Sequence, residues 1–247
     1  MKDGIETRLY VEGALTDGAI IGITAGQAHY LRSVLRLGTG EMVALFNGRD
    51  GEWRARIDGI GKGWASLALQ KRTREQRREP DLWLAFAPIK RARIDFTAQK
   101  ASELGVSLLW PIMTRHTMVE RVNTDRLTAN AIEAAEQSDR LTVPAVRAPV
   151  KLNAMIDAWP DDRPLILCDE TGGMPIAAAL SGLAAQDTRR AGLVIGPEGG
   201  FAQEELDRLR KLPFVTRVSL GPRLLRADTA ALAALAVWQA TAGDWVS

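Results

Sequence analysis

The sequence predicts an α/β protein in two parts: a small β-barrel that carries one helix, then a parallel sheet covered by helices. Up to about residue 70, short apolar runs alternate with glycine-rich turns, and Asn47-Gly48 and Asp50-Gly51 are typical of hairpin turns. From Asp81 onward, strand-like and helix-like segments alternate, which favours a mostly parallel sheet. The polar run Lys71–Pro80 lies between these patterns, and we interpret it as a linker because nothing in it is readily buried.

The predicted domains are therefore residues 1–72 and residues 73–247. The first contains strands at Arg8–Val11, Ala19–Ile23, Glu41–Phe46, Glu52–Ile60 and Trp64–Gln70. Its helix spans Ala25–Leu37, where Thr24 and Gln27 form a capping box. The apolar stripe of that helix, at a period of 3.6 residues, consists of Tyr30, Leu31, Val34 and Leu35.

The second domain alternates strands with helices to the end of the chain. The predicted strands are Asp81–Pro88, Ser107–Met113, Pro164–Cys168, Ala191–Ile195 and Phe214–Leu220. The predicted helices are Lys90–Leu104, Asn123–Ser138, Leu152–Trp159, Pro175–Leu183, Ala202–Lys211 and Thr229–Thr241.

Composition excludes several classes of protein. Hydrophobic residues make up 46% of the chain and charged residues 25%, which is typical of a globular protein, while a net charge of +2 means that nucleic acid must be bound by local basic clusters. The single Cys168 rules out an internal disulfide, and two histidines give no metal cluster. The N-terminus lacks the apolar core of a signal peptide and no apolar run is long enough to span a membrane, so we expect a cytoplasmic protein.

The most informative stretch is Leu193–Phe201, in which a buried strand runs into a turn rich in glycine just before a helix. Such a corner exposes backbone amides to a ligand at the carboxyl edge of a sheet, although a glycine-rich turn alone is equally typical of a structural turn. Similar corners occur before it at Cys168–Gly173 and after it at Val218–Pro222, and in a parallel sheet all three open at the same edge. Neither a Rossmann fingerprint nor a Walker loop is present, which argues against a dinucleotide or a triphosphate.

Five segments in the right order resemble the SPOUT methyltransferases, and in particular the ribosomal RNA small subunit methyltransferase E family. They are His29–Arg36, Gln99–Val106, Glu133–Arg140, Ile195–Phe201 and Leu220–Ala230. The resemblance implies a PUA-like RNA-binding barrel and a SPOUT domain with a deep trefoil knot. It also implies S-adenosylmethionine as cofactor, 16S rRNA or the small ribosomal subunit as partner, and a homodimer. The chain departs from the family at Asp228, where glutamate is usual.

The implied reaction is direct methylation of N3 of a uridine in 16S rRNA, with no covalent enzyme intermediate. Two alternatives remain open: another SPOUT reaction at a ribose 2′-oxygen or at guanine N1, and an RNA-binding assembly factor without catalytic activity. Methylation of uracil at carbon requires a nucleophilic cysteine and methylation at nitrogen does not, so we interpret Cys168 as a buried, unreactive thiol.

Applied to this chain, the resemblance predicts cofactor-binding and catalytic residues. The predicted cofactor-binding residues are Cys168, Glu170, Gly196, Pro197, Glu198, Gly199, Gly200, Leu220, Gly221, Leu224, Leu225 and Thr229. Arg226 is the predicted catalytic residue, because a fixed cation stabilises the charge that develops on the uracil; the alternative is an ordinary ion pair. Asp228 is a candidate base, but a helix cap is its favoured role.

RNA contact is predicted for basic residues in both domains. They are Arg8, Arg32, Arg36, Arg91, Arg115, Arg121 and Arg140. Arg32 and Arg36 are four residues apart, so the predicted helix places them on one face. For each arginine the alternative is a solvated side chain or an ion pair within the protein.

Overall fold

The computed structural model describes residues 4–184 and 190–246, except the side chain of Arg91. The chain divides into two compact units. The first unit comprises Met1–Arg78 and Ala135–Val143, and the second comprises Glu79–Ala134 and Pro144–Ser247. The predicted division at residue 72 lies six residues before the first break between the units, but the sequence gives no sign that residues 135–143 belong with the first unit.

The first unit is built on a five-stranded sheet. Its strands are β1 (Ile5–Tyr10), β2 (Ile20–Gly22), β3 (Met42–Phe46), β4 (Glu52–Gly61) and β5 (Trp64–Arg74). They lie in the order β1-β3-β4-β5-β2, with β1 and β3 parallel and the other pairs antiparallel. Alternate residues such as Leu45, Ile57 and Leu67 are fully buried in one core, as the period of two residues requires.

Strand β5 is longer than predicted. Residues Lys71–Arg74, which the sequence assigned to a linker, pair with β4, and the register joins Arg54 to Lys71 and Glu52 to Arg74. These charged side chains are exposed, and an exposed strand needs no apolar residues to keep its ladder of hydrogen bonds. The part of the predicted linker without regular structure is therefore residues 75–80.

The predicted helix Ala25–Leu37 is α-helical only in α1 (Ala25–His29), which has the predicted capping box at Thr24. A π-helical segment, Tyr30–Val34, continues it, and the N–H of Leu35 donates to the carbonyl of Tyr30. The wider turn rotates Val34 out of the predicted apolar stripe, so that Val34 is 59% exposed.

The same π-helical turn changes the placement of two predicted RNA-binding arginines. Arg36 follows the segment in a left-handed conformation, with φ of 60°. A spacing of four residues therefore no longer places Arg32 and Arg36 on one helical face, because that spacing applies to a continuous α-helix. Both side chains are exposed.

Residues 135–143 join the first unit through a buried arginine. The guanidinium of Arg8 pairs with Glu52 at 2.7 Å and donates to the carbonyls of Ala135, Glu136 and Arg140 at 2.6–2.9 Å. Its Cζ lies 4.5 Å from the centre of the ring of Phe46. All its nitrogens are thus used within the protein, which contradicts the prediction that Arg8 contacts RNA.

The second unit contains an eight-stranded sheet whose pairs are all parallel, as predicted. Its strands are β6 (Asp81–Phe86), β7 (Leu108–Met113), β8 (Ala145–Val146), β9 (Val150–Lys151), β10 (Leu165–Cys168), β11 (Met174–Pro175), β12 (Arg190–Ile195) and β13 (Val215–Ser219). The order is β11-β13-β10-β12-β6-β7-β8, and β9 pairs with β7. Three of these strands, β8, β9 and β11, have two residues each and were not predicted.

The helices of the second half of the chain begin and end close to the predicted residues. They are α2 (Arg91–Glu103), α3 (Thr124–Gln137), α4 (Leu152–Asp157), α5 (Ile176–Ala184), α6 (Gln203–Arg210) and α7 (Ala227–Ala242), followed by a 3₁₀ turn at Asp244–Val246. Within the described residues no helix is both long and apolar enough to cross a membrane. The predicted trefoil knot stays a prediction.

A cluster of three indoles fills part of the core of the second unit. Trp83 lies edge-on to Trp110 and Trp159, and the guanidinium of the buried Arg163 lies 3.8 Å from the centre of the Trp83 ring. Gly192 in β12 is needed here, because a Cβ at that position would lie 2.3 Å from the ring of Trp159. The cluster fixes β6, β7 and β12 against one another and leaves their carboxyl ends free.

We predict that Arg8→Met lowers the free energy of unfolding of the first unit by about 3 kcal/mol, because it removes the nearest cation from the carboxylate of Glu52, which is 8% exposed, and leaves it with the more exposed Arg74 at 3.4 Å. Urea denaturation followed by circular dichroism measures the change. The matched control is Arg32→Met, an exposed arginine, for which we expect a change below about 0.5 kcal/mol. Unchanged stability of Arg8→Met together with weaker RNA binding would restore the role predicted from the sequence.

Candidate active site

Three neighbouring strands end at one cavity, as the glycine-rich corners predict. β10 lies between β12 and β13, and the register places Cys168 beside Ile195 on one side and Val218 on the other. The loops that follow these strands enclose a cavity of about 480 Å³. That volume falls within the range of roughly 300–1,000 Å³ of small-molecule sites.

Ten of the twelve predicted cofactor-binding residues line this cavity. They are Cys168, Glu170, Gly196, Pro197, Glu198, Gly200, Leu220, Gly221, Leu224 and Leu225. Gly199 and Thr229 are not among its lining residues. The carbonyl of Gly199 instead accepts a hydrogen bond from His116, and the N–H of Thr229, in the first turn of α7, donates to the carboxylate of Asp228.

Two glycines are required by the shape of the loop after β12. A Cβ at Gly196 would lie 2.8 Å from the ring of Phe201, which packs against that backbone. Gly200 has φ of +69°, and a Cβ there would lie 2.4 Å from Oε1 of Glu170 on the neighbouring loop. The loops after β10 and β12 thus approach each other closely at Gly200, whose left-handed φ favours glycine.

Asp169 holds the loop after β10 in place. Its side chain is 1% exposed, and one carboxylate oxygen accepts hydrogen bonds from Nε of Arg217 at 2.6 Å and Nη2 of Arg210 at 2.9 Å. The other oxygen accepts from the backbone and the hydroxyl of Thr171. This carboxylate therefore joins the ends of β10 and β13 to the last residue of α6.

The charge of Asp169 is secured by these partners. Burial on its own would raise the pKa of the carboxyl group, but the hydrogen bonds from Thr171, Arg210 and Arg217 outweigh that effect and lower the pKa to about 2. The carboxylate is therefore ionised at neutral pH.

Burial acts in the opposite direction on Cys168. It raises the pKa of the thiol from 9.0 to about 12, so the thiol is protonated at neutral pH although it lines the cavity. A thiol in this state is a poor nucleophile. The raised pKa agrees with the prediction of an unreactive thiol, but Cys168 is half-buried at the cavity and not buried as predicted.

Three residues that line the cavity have unpaired backbone amides. Among the described residues, the N–H groups of Glu198, Leu224 and Leu225 have no hydrogen-bond acceptor, and all three residues line the cavity. Gly221, with φ of +104°, has open space where a Cβ would be. These amides are the donors that a polar ligand would meet on the two loops.

The loop after β12 is also braced from the side of β7. Nδ1 of His116 lies 3.1 Å from the carbonyl of Gly199 and 3.2 Å from that of Gly200; because both partners are acceptors, this nitrogen carries the proton. The carboxylate of Glu205 accepts from the backbone N–H groups of Arg115 and Ala202, which secures the start of α6. Sequence reasoning assigned His116 no role.

Arg226 lies on the rim of the cavity and is exposed. In the described part of the chain its guanidinium has no hydrogen bond or ion pair, and the same is true of Arg223, a cavity-lining residue that sequence reasoning missed. An unpaired guanidinium beside a cavity is available to a ligand that is negatively charged or that gains negative charge during a reaction.

Asp228 is not the helix cap that the sequence predicts. The capping position of α7 is Arg226, whose side chain makes no capping bond, and Asp228 is the second residue of the helix. Its carboxylate is 16% exposed and lies 3.8 Å from Nε of Arg93, whose Nη1 pairs with Glu198 at 2.7 Å. Arg93 of α2 thereby joins the loop after β12 to the first turn of α7.

The predicted RNA-binding arginines fall into two groups. Arg32, Arg36, Arg115 and Arg121 are exposed, as an RNA contact requires. Arg140 is 8% exposed and donates to the hydroxyl of Thr142, which contradicts its predicted RNA contact in the same way as for Arg8. The side chain of Arg91 lies outside the described residues.

Several functional residues escaped sequence reasoning because their roles depend on contacts between distant segments. Asp169 lies in a loop that was predicted to matter, but no motif marks it as the partner of Arg210 and Arg217.

Within the described residues no group of three potential ligands is placed to hold a metal ion.

Comparison with known proteins defines the class. The model of an RNA methyltransferase domain matches residues 77–239, and the model of an RNA methyltransferase PUA domain matches residues 23–67. A ribosomal RNA small subunit methyltransferase E from Rickettsia conorii is 33% identical over 93% of this chain and 93% of its own length. The chain therefore belongs to the ribosomal RNA small subunit methyltransferase E family, and the predicted family is confirmed.

Two solved structures share the whole architecture. A methyltransferase from Legionella pneumophila in complex with the cofactor S-adenosylmethionine has a TM-score of 0.83 at 30% identity, over 95% of this chain and 97% of that chain. A ribosomal RNA small subunit methyltransferase E from Neisseria gonorrhoeae, bound to S-adenosylmethionine, has a TM-score of 0.84 at 28% identity, over 97% and 99%. The predicted α/β fold with a PUA-like part and a parallel sheet is confirmed.

We predict that Asp169→Asn lowers the free energy of unfolding by about 2 kcal/mol at pH 7, because two cations lose their buried counter-charge. The pKa of Asp169 is lowered from 3.8 to about 2, so this stabilisation is complete above pH 4 and is lost as the pH falls from 4 to 2. Urea denaturation at pH 7 and pH 3, followed by tryptophan fluorescence, measures it.

The matched control for Asp169 is Asp157→Asn, which removes an exposed ion pair with Arg208. We expect this control to change stability by less than about 0.5 kcal/mol at both values of pH. Equal effects of the two substitutions, or an effect of Asp169→Asn that is no smaller at pH 3 than at pH 7, would contradict the role of Asp169.

Proposed function

We propose that this protein transfers a methyl group from S-adenosylmethionine to N3 of a uridine in 16S rRNA, directly and without a covalent enzyme intermediate. One observation carries the proposal: three adjacent parallel strands open into a single cavity with free backbone amides, in a chain of the methyltransferase E family. The glycine-rich loops around that cavity match the segments from which the sequence predicted a cofactor site.

The cavity fits S-adenosylmethionine in both shape and chemistry. Gly196 and Gly200 allow two loops to approach closely, and the unpaired amides of Leu224 and Leu225 are donors for an adenine and a ribose. The half-buried side chain of Leu225 and the exposed side chain of Leu224 supply apolar cover for a flat base. Glu170 and Glu198, on the loops after β10 and β12, place negative charge near a cationic cofactor.

When bound, S-adenosylmethionine supplies an electrophilic methyl group on its sulfonium. N3 of uracil is a weakly acidic imide, so negative charge develops on the ring as its proton passes to solvent water. The guanidinium of Arg226, free of any partner among the described residues, is placed on the cavity rim to stabilise that charge. Asp228 lies beside Arg93 and accepts the N–H of Thr229, so we assign it a structural role rather than that of a base.

Cys168 is consistent with methylation at nitrogen. A protonated thiol, held neutral by a pKa of about 12, does not add to the uracil ring, whereas methylation at carbon would require a thiolate. The nucleophile in this scheme is the uracil nitrogen itself. Among the alternative reactions, methylation of guanine N1 or of a ribose 2′-oxygen would use the same cavity, and the match of residues 23–67 to a PUA domain does not distinguish them.

We further propose that the protein is a cytoplasmic homodimer that acts on 16S rRNA or on the small ribosomal subunit. An RNA methyltransferase domain beside an RNA methyltransferase PUA domain supports RNA as the partner. The exposed Arg32, Arg36, Arg115 and Arg121 remain the predicted RNA contacts, and we add Arg223, which lies on the rim of the cavity in the second unit.

Nucleoside mass spectrometry of 16S rRNA tests the reaction. Ribosomal RNA from cells that lack this protein, incubated with the purified enzyme and S-adenosylmethionine, is expected to gain 3-methyluridine and no other methylated nucleoside. Appearance of 1-methylguanosine or a 2′-O-methylnucleoside instead would contradict the proposal.

Arg226→Ala should slow turnover by roughly 100-fold or more while changing cofactor affinity less than threefold, because the guanidinium acts on the developing charge. Equal losses in turnover and affinity would reassign Arg226 to binding.

We predict that Gly200→Ala weakens S-adenosylmethionine binding about tenfold, since its left-handed φ disfavours a side chain and the new Cβ would displace Glu170. Isothermal titration calorimetry measures the dissociation constant. The control is Gly199→Ala, where φ is ordinary and a Cβ would lie 3.4 Å from His116; we expect a change below threefold. The site would be misplaced if Gly200→Ala bound the cofactor as tightly as the unmodified chain.

A further inference from the structure

The five-stranded sheet of the first unit has an exposed tryptophan on the face opposite its core. Trp64 begins β5 and is 55% exposed, whereas Ala65, Leu67 and Leu69 are buried in the core. The period of two residues therefore directs Trp64 away from that core. We call this side of β4 and β5 the outer face; on it a large aromatic ring remains in contact with water.

The indole of Trp64 lies over two glycines of β4. Gly61 is its cross-strand partner, and a Cβ at Gly61 would lie 2.2 Å from Nε1 of Trp64. A Cβ at Gly59 would lie 3.1 Å from the six-membered ring. One face of the indole therefore packs against the sheet over these glycines, and the other face is exposed.

Two unpaired cations lie further along the same face. Arg54 is on the outer face because it alternates with Ala55, which is fully buried in the core, and the register pairs it with Lys71 of β5. The register shifts by one residue between Ala55 and Arg54, and this β-bulge brings Lys71 instead of Gln70 opposite Arg54, so Lys71 shares its face although the strict alternation from Leu67 and Leu69 would not place it there. Like charges directly opposite each other destabilise a sheet. Among the described residues neither side chain has a hydrogen bond or an ion pair, and Nε of Arg54 is buried without an acceptor.

Neighbouring arginines show that this lack of partners is particular to the pair. Arg72 pairs with Glu75 at 2.8 Å and Arg74 with Glu52 at 3.4 Å. On β4, Arg56 lies 3.4 Å from Asp58. Arg54 and Lys71 are therefore a repulsive pair that an anion would stabilise.

We infer that the outer face binds a single-stranded segment of RNA, with a base stacked on Trp64 and phosphates held by Arg54 and Lys71. An aromatic platform beside cations is the pattern by which proteins bind unpaired RNA. Seven residues of β5 separate Trp64 from Lys71, about 23 Å at ~3.3 Å per residue, enough for several nucleotides. The inference rests on the proposed function, because it takes the RNA to be the rRNA that the enzyme methylates.

The test measures RNA binding by the full chain, with fluorescence anisotropy of a fluorescein-labelled 12-nucleotide oligouridylate. Trp64→Leu keeps an apolar cover over the glycines but removes the stacking surface, and we expect affinity to fall about tenfold. Trp64→Phe should retain affinity within threefold. Trp245→Leu is the matched control, since Trp245 is 58% exposed but belongs to the second unit, and its affinity should equal that of the unmodified chain.

The cations give an independent readout. Arg54→Gln with Lys71→Gln should reduce the slope of log affinity against log salt concentration by about 1.4, at ~0.7 for each phosphate contact with single-stranded RNA. Trp64→Leu should leave that slope unchanged. Should Trp64→Leu prove unfolded by circular dichroism, the double glutamine variant, which changes no core residue, decides the question alone.

The outcomes separate this inference from the proposed function. If the unmodified enzyme methylates 16S rRNA and the Trp64 and Arg54/Lys71 variants match it in KM and in oligonucleotide affinity, the inference is wrong and the proposed function stands. If those variants lose RNA binding while the unmodified enzyme methylates no rRNA, the surface is right and the proposed function is wrong. An effect on the assembled small subunit but not on protein-free 16S rRNA would mean that the outer face contacts a protein, which overturns the inference.

Discussion

The buried carboxylate of Asp169 is the interaction on which the cavity depends. The loops that follow β10 and β13 line the cavity, and they must remain open to admit a ligand. Asp169 binds Arg217 of β13 and Arg210 of α6, so it fixes both loops from beneath without filling the cavity. Its low pKa follows from the same hydrogen bonds, which outweigh the effect of burial.

Backbone and side chains have separate tasks in the second unit. Glycines and free amides form the surface that a cofactor would touch, while charged side chains fix where that surface lies: Asp169 from beneath, Arg93 across the rim, and His116 from the side of β7. This arrangement explains how a site made largely of main chain stays rigid. It also leaves Arg226 and Arg223 without partners among the described residues, and therefore free to meet a substrate.

Patterns local in sequence were sufficient for most of the fold and for most of the cavity. The alternation of strands and helices predicts the parallel sheet, the glycine-rich corners predict that three loops share one cavity, and the family resemblance predicts ten residues of its lining. What failed depends on contacts between distant residues. The burial of Arg8 and Arg140 follows from residues 135–143 joining the first unit, and the exposure of Val34 follows from a π-helical turn that an apolar stripe cannot reveal. The roles of Asp169 and Arg93 likewise require partners more than 40 residues away.

The central claim is that the loops after β10, β12 and β13 form one binding surface for S-adenosylmethionine. Hydrogen exchange of the full chain, followed by mass spectrometry with and without the cofactor, tests this claim most directly. We expect the cofactor to slow backbone amide exchange in all three segments, residues 169–173, 196–200 and 220–226, at the same cofactor concentration. Protection confined to a single loop, or to segments outside this edge of the sheet, would contradict it.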